Sequence, residues 1–507
     1  MTGELPARLH PPAATAAPGR RRWLILAVIG VAQLMVVLDA TIVNIALPSA
    51  QQALGFSVTD RQWVVTAYAL AFGGLLLVGG RLSDLFGRKR TFIAGLAGFA
   101  AASAAGGAAP GFGVLVAARA VQGSFAALLA PSALALLTTT FTDARERGKA
   151  LGVYTTIAGG GGAVGLLLGG VLTQYLSWRW CLYVNVVFAA VALAGAVALI
   201  GRQPRSARAR LDVPGSVLAA GGLVAIVYGF STASTDGWGS GLTIGLIAGG
   251  TALLAEFVLV ERRVRHPLVP LAILTDRTRG AAYLGAVIAG IGIIGLFLLI
   301  TYYLQGVLGF TPLQAGLAFL PFIGGITVAA NVVSNVGLAR LGPKAIVPAG
   351  MILSAAGAAW LTRIGVHGSY ALDVAPALVL VGFGVSCAVV SAFSLGPAGV
   401  KPADTGVAAA LVNSSNQVGG SLGAALLNTI AVGSAAAYLT RPGAAPSAAA
   451  ATVHGDTAAF TFLVVLFTAG AVLTGLLYPR RAAVAAPAPA AARPAAEPAR
   501  GAVVGED

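Results

Sequence analysis

The stretch WLILAVIGVAQLMVVLDATIVNIAL, residues 23–47, is an apolar run in which Asp39 is the one charged residue. A membrane-spanning helix needs roughly 17 to 25 residues of this kind. Comparable runs recur along the chain, separated by charged or Pro/Gly-rich segments. The sequence therefore predicts an all-α membrane protein with fourteen spans, near residues 23–47, 60–80, 91–109, 112–140, 150–174, 180–201, 213–233, 241–260, 281–304, 313–338, 345–362, 372–396, 405–433 and 459–478.

Basic residues alternate between the segments that connect these runs. Of the 32 Lys and Arg residues, 27 lie in the two tails and in every second link, which would share one side of the membrane. The opposite side would hold Arg61, Arg179, Arg363 and Arg441, and Arg119 lies within a span. Cytoplasmic links carry an excess of Lys and Arg, so we predict a multi-pass protein of the bacterial inner membrane with both termini in the cytoplasm.

Composition excludes a soluble core and argues against a nucleic-acid partner. The chain is 57% hydrophobic and 10% charged, whereas soluble proteins average about 25% charged residues. The formal net charge of +15 is explained by topology, because little polar chain remains outside the predicted spans. We expect membrane lipids as partners and favour a monomer, although the sequence does not determine the oligomeric state.

The second half of the chain resembles the first at an offset of 254 residues. Val164-Gly165 and Leu168-Gly169 meet Val418-Gly419 and Leu422-Gly423 at this offset. Repeated halves are a recurrent plan of secondary transporters. We therefore predict two six-helix repeats plus two inserted helices. The predicted divisions are a disordered cytoplasmic tail 1–22, a bundle 23–205, the insertion 206–265, a bundle 279–478 and a disordered cytoplasmic tail 479–507.

Asp39 is predicted to be the only acid deep inside a span, and Arg119 is its basic counterpart. At 1.5 Å per residue both would lie about 10 to 12 Å below the same membrane edge. Buried ionisable residues are costly and are functional candidates by default. We predict that this pair takes part in proton coupling; a permanent structural ion pair is the alternative.

The link between the second and third spans reads Gly80-Arg-Leu-Ser-Asp84-Leu-Phe-Gly87-Arg88-Lys-Arg90. It resembles the GxLaDrxGRkr signature of the major facilitator superfamily and departs from it mainly at Leu85. Glycine permits tight turns and close helix approach, and Asp84 with Arg88 can form a charged latch between helix ends. The alternative is an ordinary cluster of cytoplasmic charge.

Three further stretches resemble the fourteen-helix drug/proton antiporters of that superfamily. Residues 38–48 resemble the first-helix signature, and residues 119–123 with Pro131 resemble the fourth-helix signature. The arginine of that fourth-helix signature is linked with proton coupling in the family, so the resemblance implies this role for Arg119. Gly161, Gly165, Gly169 and Gly170 resemble the fifth-helix antiporter signature, which has Pro where this chain has Leu166. The resemblance covers about residues 23–478. Spacing alone also fits simple close packing of helices.

Polar residues on the presumed central helices are predicted to line a substrate cavity, with an interhelical hydrogen bond as the alternative for each. They are Gln33, Asn44, Gln122, Tyr302, Tyr303, Gln305, Asn331, Asn413, Asn416 and Gln417.

These features together predict a proton-coupled secondary transporter that exports amphipathic drugs or antibiotics by alternating access. A dedicated exporter of one endogenous metabolite and a non-transporting receptor or scaffold are the alternatives. The chain has no GxxxxGK[ST] nucleotide motif, no catalytic constellation and no ligand spacing among its His residues, so we expect no enzyme activity, cofactor or metal. Cys181 and Cys387 are predicted to be buried thiols.

Overall fold

The computed structural model describes residues 19–201, 212–264, 268–401, 404–440 and 447–479, and within these ranges the chain is helical with no strand. Both predicted disordered tails lie outside the described residues except at their inner edges. The basic link at 202–211 lies outside them as well. The fold class predicted from the sequence is confirmed.

Six long helices form the first half of the molecule. The first begins before residue 23 and extends beyond residue 47, where the sequence predicted its ends. The six helices are α1 (Gly19–Leu54), α2 (Trp63–Phe86), α3 (Arg88–Gly107), α4 (Phe112–Thr140), α5 (Ala144–Tyr175) and α6 (Trp180–Leu199).

Two helices follow as an insertion, α7 (Val213–Asp236) and α8 (Gly241–Glu261). The second half repeats the plan with six crossings, some of them interrupted. Its helices are α9 (Leu271–Leu274), α10 (Arg277–Tyr302), α11 (Pro312–Ala318), α12 (Leu320–Val332), α13 (Leu338–Arg340), α14 (Pro343–Leu361), α15 (Ala375–Leu395), α16 (Thr405–Leu439) and α17 (Ala448–Leu477), with π-helical segments at Tyr303–Val307, Val333–Gly337 and Tyr370–Val374.

The predicted offset of 254 residues reappears in the packing. A Cβ atom on Gly165 would lie 3.0 Å from the Leu38 carbonyl oxygen of α1, and one on Gly419 would lie 2.1 Å from the Val287 carbonyl oxygen of α10. The first helix of each half is thus held against the fifth by glycines at matching positions, where any side chain would push the two helices apart. The predicted domain boundaries themselves remain predictions.

Thirteen helices or helical runs in the described part of the chain are long and apolar enough to cross a membrane, one fewer than predicted. The difference is α3, more than half of which is Ala or Gly. This helix nevertheless packs antiparallel along α4, because Gly95 faces Leu129, Gly98 faces Phe125 and Gly106 faces Ala118. It therefore crosses the same layer as α4, with a lower mean hydropathy than the other spans.

The two ends of the bundle differ in how the halves meet. We call the end that holds Gly19 and Leu477 the termini side and the opposite end the far side. At the far side a Cβ atom on Gly170 of α5 would lie 2.7 Å from the Leu313 Cα of α11, and Gln305 Nε2 donates to the Ile45 carbonyl oxygen at 3.0 Å. Nearer the termini side, a Cβ atom on Gly159 or Gly160 would meet no other helix within 4 Å. The halves are closed against each other at the far side.

Candidate functional site

Asp39 lies at the centre of a buried polar cluster. Its Oδ1 accepts hydrogen bonds from Gln122 Nε2 and Asn185 Nδ2, both at 2.7 Å, and its Oδ2 accepts from Arg119 Nη1 at 2.6 Å. Asp39 is 0% exposed and Arg119 is 1% exposed. The structure therefore brings the predicted acid and base into direct contact inside the first half.

Further contacts fix the Arg119 guanidinium in this position. Its Nε donates to the Val64 carbonyl oxygen of α2 at 3.0 Å, and its Nη1 also donates to Gln122 Oε1 at 2.7 Å. The guanidinium carbon lies 4.3 Å from the centroid of the Tyr68 ring. Arginine keeps its proton in proteins, so a permanent positive charge faces the Asp39 carboxyl group.

Two members of the cluster were not predicted as site residues, and a third, Gln122, makes the interhelical hydrogen bonds that were its alternative. Asn185 of α6 contacts Asp39 directly, and the Ser103 hydroxyl of α3 accepts from Gln122 at 2.8 Å. Gln122, predicted to line a cavity, is 0% exposed and is bonded within the cluster. The sequence signal for Asn185 and Ser103 is that each is an isolated polar residue on a helix rich in small apolar residues.

The hydrogen bonds of Asp39 converge on both of its carboxylate oxygens. These oxygens receive three donors, one of them charged. These donors leave one acceptor site of the carboxylate open, but the side chain is 0% exposed. Proton exchange with water at this site therefore requires a rearrangement of α1 relative to α4 or α6.

The glycine positions of α5 form the wall beside this cluster. Gly161, Gly165 and Gly169 lie against α1, where added Cβ atoms would come within 3.1 Å of Val37, 2.0 Å of Thr41 and 2.9 Å of Ile42. Those α1 residues flank Asp39 in sequence. Close packing explains these glycines, whereas Gly170 faces α11 of the other half.

The charged link between α2 and α3 is shaped by Gly87. This residue has φ +92°, in the region that L side chains rarely adopt, and it both ends α2 and begins α3. The described residues contain no ion pair between Asp84 and Arg88 within 4.0 Å. The predicted latch is not formed in this conformation and stays a prediction for another state.

Gly80 is less constrained than its neighbour. A Cβ atom on Gly80 would meet Pro131 at 3.8 Å, an ordinary contact, whereas one on Gly79 would meet the Ala127 carbonyl oxygen at 2.0 Å. The close approach of α2 to α4 therefore depends on Gly79, which the motif does not include. Lys89, which lies in the same charged link, caps the end of α6, since its Nζ donates to the carbonyl oxygens of Val197 and Ile200.

The residues predicted to line a cavity separate into three groups. Tyr302 and Gln305 connect the halves at the far side, since the Tyr302 hydroxyl donates to Gln51 Oε1 at 2.5 Å and Gln305 donates to Ile45. Tyr303 is buried and donates to the Gly365 carbonyl oxygen within the second half.

The second group, which includes Tyr303, forms hydrogen bonds within its own half of the molecule. Asn44 and Asn331 donate back to the carbonyl oxygens four residues earlier in their own helices, Asn416 donates to Ala286, and Gln33 accepts from the Tyr154 hydroxyl. Asn413 and Gln417 form the third group. They are half-buried on α16, and their side chains make no hydrogen bond among the described residues, which leaves their amide groups free for another partner.

Asp456 corrects the prediction that Asp39 is the only deeply buried acid. The predicted last span began at residue 459, but α17 begins at Ala448, which places Asp456 within the helix. Its side chain is 2% exposed, and its Oδ2 has no hydrogen-bond partner among the described residues. The prediction of two buried thiols is confirmed, because Cys181 and Cys387 are free and buried.

Comparison with known proteins agrees with this architecture. The family model of the Major Facilitator Superfamily matches residues 29–424. The puromycin resistance protein of Streptomyces alboniger is 51% identical over 92% of this chain and 94% of its own length. The cephamycin export protein of Amycolatopsis lactamdurans is 38% identical over 88% of this chain and 90% of its own length.

Solved structures support the fold alone. A bacterial homologue of the human lysosomal transporter Spinster, in an inward-facing and unoccupied conformation, aligns with a TM-score of 0.65 at 15% sequence identity. The alignment covers 91% of this chain and 98% of that one. With the family model spanning most of the chain, and with antibiotic resistance and export proteins among its relatives, this chain belongs to the major facilitator superfamily of membrane transporters and is not an enzyme.

Proposed function

We propose that the protein exports an amphipathic antibiotic across the bacterial plasma membrane in exchange for protons. The observation that carries the proposal is the sealed Asp39–Arg119 ion pair, 2.6 Å long, inside a transporter fold. An ion pair without water contact costs desolvation energy, and intramembrane charges of this kind mark ion and substrate pathways.

Coupling in this scheme depends on competition for the Asp39 carboxylate. In the far-closed conformation Arg119, Gln122 and Asn185 donate to it. When α1 moves relative to α4, the carboxylate loses its cation and binds a proton in its place. Return to the far-closed conformation expels that proton. Cargo binds more tightly to the far-closed conformation, in which Asp39 carries no proton. One conformational equilibrium therefore couples cargo binding to proton release.

The charged link at 80–90 has a second place in the scheme. We propose that Asp84 and Arg88 approach each other when the far side opens and the termini side closes. A latch formed in one state alone shifts the population of states by its own free energy. Asp84→Asn should then reach the membrane normally yet transport less. Unimpaired transport by both Asp84→Asn and Arg88→Ala would reduce the motif to a topological charge cluster.

Orientation follows from the alternation of basic residues. We propose that the termini side is cytoplasmic, so that the far side faces outward. Reporter fusions after Arg210 and after Arg265, in two basic links, should both give a cytoplasmic signal. An external signal at either position would contradict the fourteen-span topology.

Relatives named for single antibiotics favour a narrow cargo as a second form of the proposal, while a relative with 31% identity is named a multidrug resistance protein. The relative with 51% identity is named for puromycin resistance, and others are named for cephamycin export, tetracenomycin C resistance and export, and lincomycin resistance. We therefore propose an exporter dedicated to one antibiotic, with broad multidrug export as the alternative. Expression in a drug-sensitive host, tested against these four compounds and a panel of cationic dyes, separates the two by the number of compounds tolerated.

Coupling is tested in proteoliposomes with an imposed proton gradient. The cargo is the compound to which the expressing host becomes tolerant. Asp39→Asn keeps the shape of the side chain but cannot exchange a proton, so it should still bind cargo and lose accumulation against a gradient. Asp60→Asn, at a far-side acid outside the cluster, serves as the matched control and should accumulate normally. Gradient-driven accumulation by Asp39→Asn would show that the buried acid is structural.

A further inference from the structure

A second buried charge cluster lies at the far side, between the two halves. Arg61, in the link between α1 and α2, is 5% exposed, and its Nε donates to Asn428 Oδ1 of α16 at 2.8 Å. Its guanidinium carbon lies 3.8 Å from the centroid of the Tyr302 ring of α10. Asn428 Nδ2 in turn reaches the carbonyl oxygens of Val58 and Thr59 at 3.3 Å. We call Arg61, Tyr302 and Asn428 the far gate, because these contacts join the halves and must break when the far side opens.

Asp456 of α17 stands beside this gate without belonging to its hydrogen bonds. The helix is held close to α16 at this level, since a Cβ atom on Gly455 would lie 2.2 Å from the Ala431 carbonyl oxygen. Burial lowers the pKa of the Arg61 guanidinium, and electrostatic attraction to Tyr302 and Asp456 opposes that shift. Yet Arg61 and Asp456 are not among the ion pairs within 4.0 Å in the described part of the chain.

The neighbours of Asp456 offer its Oδ2 no hydrogen-bond donor among the described residues, and Arg61 attracts the carboxylate from beyond ion-pair distance. The charged and titratable groups that face it are Arg61 from the α1–α2 link and Tyr303 from the segment after α10, with Tyr302 behind Arg61. The Tyr303 hydroxyl is committed to Gly365, and the preceding His454 ring stacks on Tyr438. A buried carboxylate oxygen without a donor is unfavourable, as Asp456 Oδ2 is here, whereas a protonated carboxyl is neutral and tolerates burial. The closed gate therefore favours a proton on Asp456.

Opening the far side reverses this preference. The Val58–Arg61 segment moves with the first half while Asp456 stays with the second, and water enters between them. The hydrated carboxylate no longer suffers the penalty of burial, so the ionised form becomes favourable. Because the closed gate binds the proton more tightly than the open gate, proton binding must favour closure.

From this geometry we propose that Asp456 is a second proton-binding site, distinct from Asp39, and that its protonation closes the far gate. The proposal uses the alternating access of the proposed function but requires neither a particular cargo nor coupling through Asp39. Acid on the far side would thereby promote closure of that side. The proton acts at the gate and has no contact with the Asp39 cluster.

Thiol accessibility in purified protein tests the proposal without cargo or gradient. Ile45 of α1 is 0% exposed and packs against the second half at the far side. Ile45→Cys, with both native cysteines replaced by alanine, should react with a maleimide only when the far gate opens. Gly239→Cys, in the exposed far-side link between α7 and α8, corrects for the intrinsic pH dependence of the reagent.

The corrected labelling rate should rise with pH between pH 5.5 and pH 8, by at least about tenfold and by at most about 300-fold, since one proton changes a two-state ratio at most tenfold per pH unit. Asp456→Asn and Asp456→Ser, both permanently neutral, should label slowly with no pH dependence, and Asp456→Glu should keep the dependence. Asp60→Asn, at the acid next to Arg61 in sequence, is the matched control and should behave as the parent.

Three results would overturn the proposal. They are a pH-independent parent, an unchanged pH dependence in the Asn and Ser variants, and a dependence abolished equally by Asp60→Asn. Each can occur in a protein that exports antibiotics normally, and a failure of export leaves the labelling result intact. The two proposals therefore fail separately.

Discussion

Removal of the Arg119 guanidinium is the sharpest perturbation of the Asp39 cluster. Arg119→Met keeps an unbranched apolar side chain but deletes the cation 2.6 Å from Asp39 Oδ2. The carboxylate would keep the Gln122 and Asn185 amides but would be buried without a counter-charge. Breaking a buried ion pair by removing one partner costs about 3–5 kcal/mol, so the free energy of unfolding should fall by that amount where Asp39 is ionised.

The cost should depend on pH in a defined direction. At low pH a proton neutralises Asp39, and the remaining loss is that of the Arg119 hydrogen bonds, about 1–2 kcal/mol. As pH rises the carboxylate must ionise without its cation, and the full cost appears. Arg119→Met should therefore lose more stability relative to the parent at pH 8 than at pH 5. The double variant Asp39→Asn/Arg119→Met carries no charge in this cluster and should show a loss that is independent of pH.

Thermal or denaturant unfolding in detergent at the two pH values measures these differences as a double-mutant cycle. Arg179→Met is the matched control, because Arg179 donates to the carbonyl oxygens of Gly107 and Ala109 and has no carboxylate partner among the described residues. Its loss should not vary with pH. Equal destabilisation of Arg119→Met at both pH values, or a pH dependence that survives the addition of Asp39→Asn, would refute this role of the ion pair.

Two matched pairs of variants test the packing and the far side. Gly79→Ala should destabilise the protein by about 1–3 kcal/mol, because the new Cβ meets backbone at 2.0 Å. Gly80→Ala should be neutral or stabilising by up to about 1 kcal/mol through helix propensity; similar melting temperatures for the two would contradict the geometry. Tyr302→Phe removes a hydrogen bond between the halves and should raise labelling of Ile45→Cys by about two- to tenfold, since such a bond contributes about 0.5–1.5 kcal/mol. Tyr303→Phe removes one within the second half and should leave labelling unchanged, so equal effects would show that neither hydroxyl bears on the far side.

The architecture was predictable from the sequence because the bilayer imposes a strong and simple pattern. Spans must be long and apolar, and basic residues mark every second link, so the order of the spans follows from the pattern of apolar runs and basic links along the chain. Errors arose at helix ends. Ala-rich segments such as 448–458 are neither strongly apolar nor polar, so the start of α17 was placed eleven residues late. That error concealed Asp456.

The polar cluster was predictable in part, for a physical reason. Asp39 and Arg119 are conspicuous because ionised groups are rare within spans. Asn185 and Ser103 are neutral and common in membrane helices, so only their positions on adjacent helices identify them. The difference between Gly79 and Gly80 has the same origin, because two successive residues on a helix point about 100° apart and sequence alone does not show which one faces α4.

The two buried acids differ in what a change of conformation does to them. Every partner of Asp39 belongs to the first half, so a rigid rotation of the halves leaves its hydrogen bonds intact. Coupling at Asp39 therefore requires movement within the first half, and α5 provides the connection. One face of α5 packs on α1 beside Asp39, and the adjacent Gly170 packs on α11 of the second half. The far gate, in contrast, joins the halves directly and breaks in any opening motion. A proton at Asp456 can thus act on the gate without any change inside a half, whereas a proton at Asp39 can act only if α5 transmits the movement of the second half to α1.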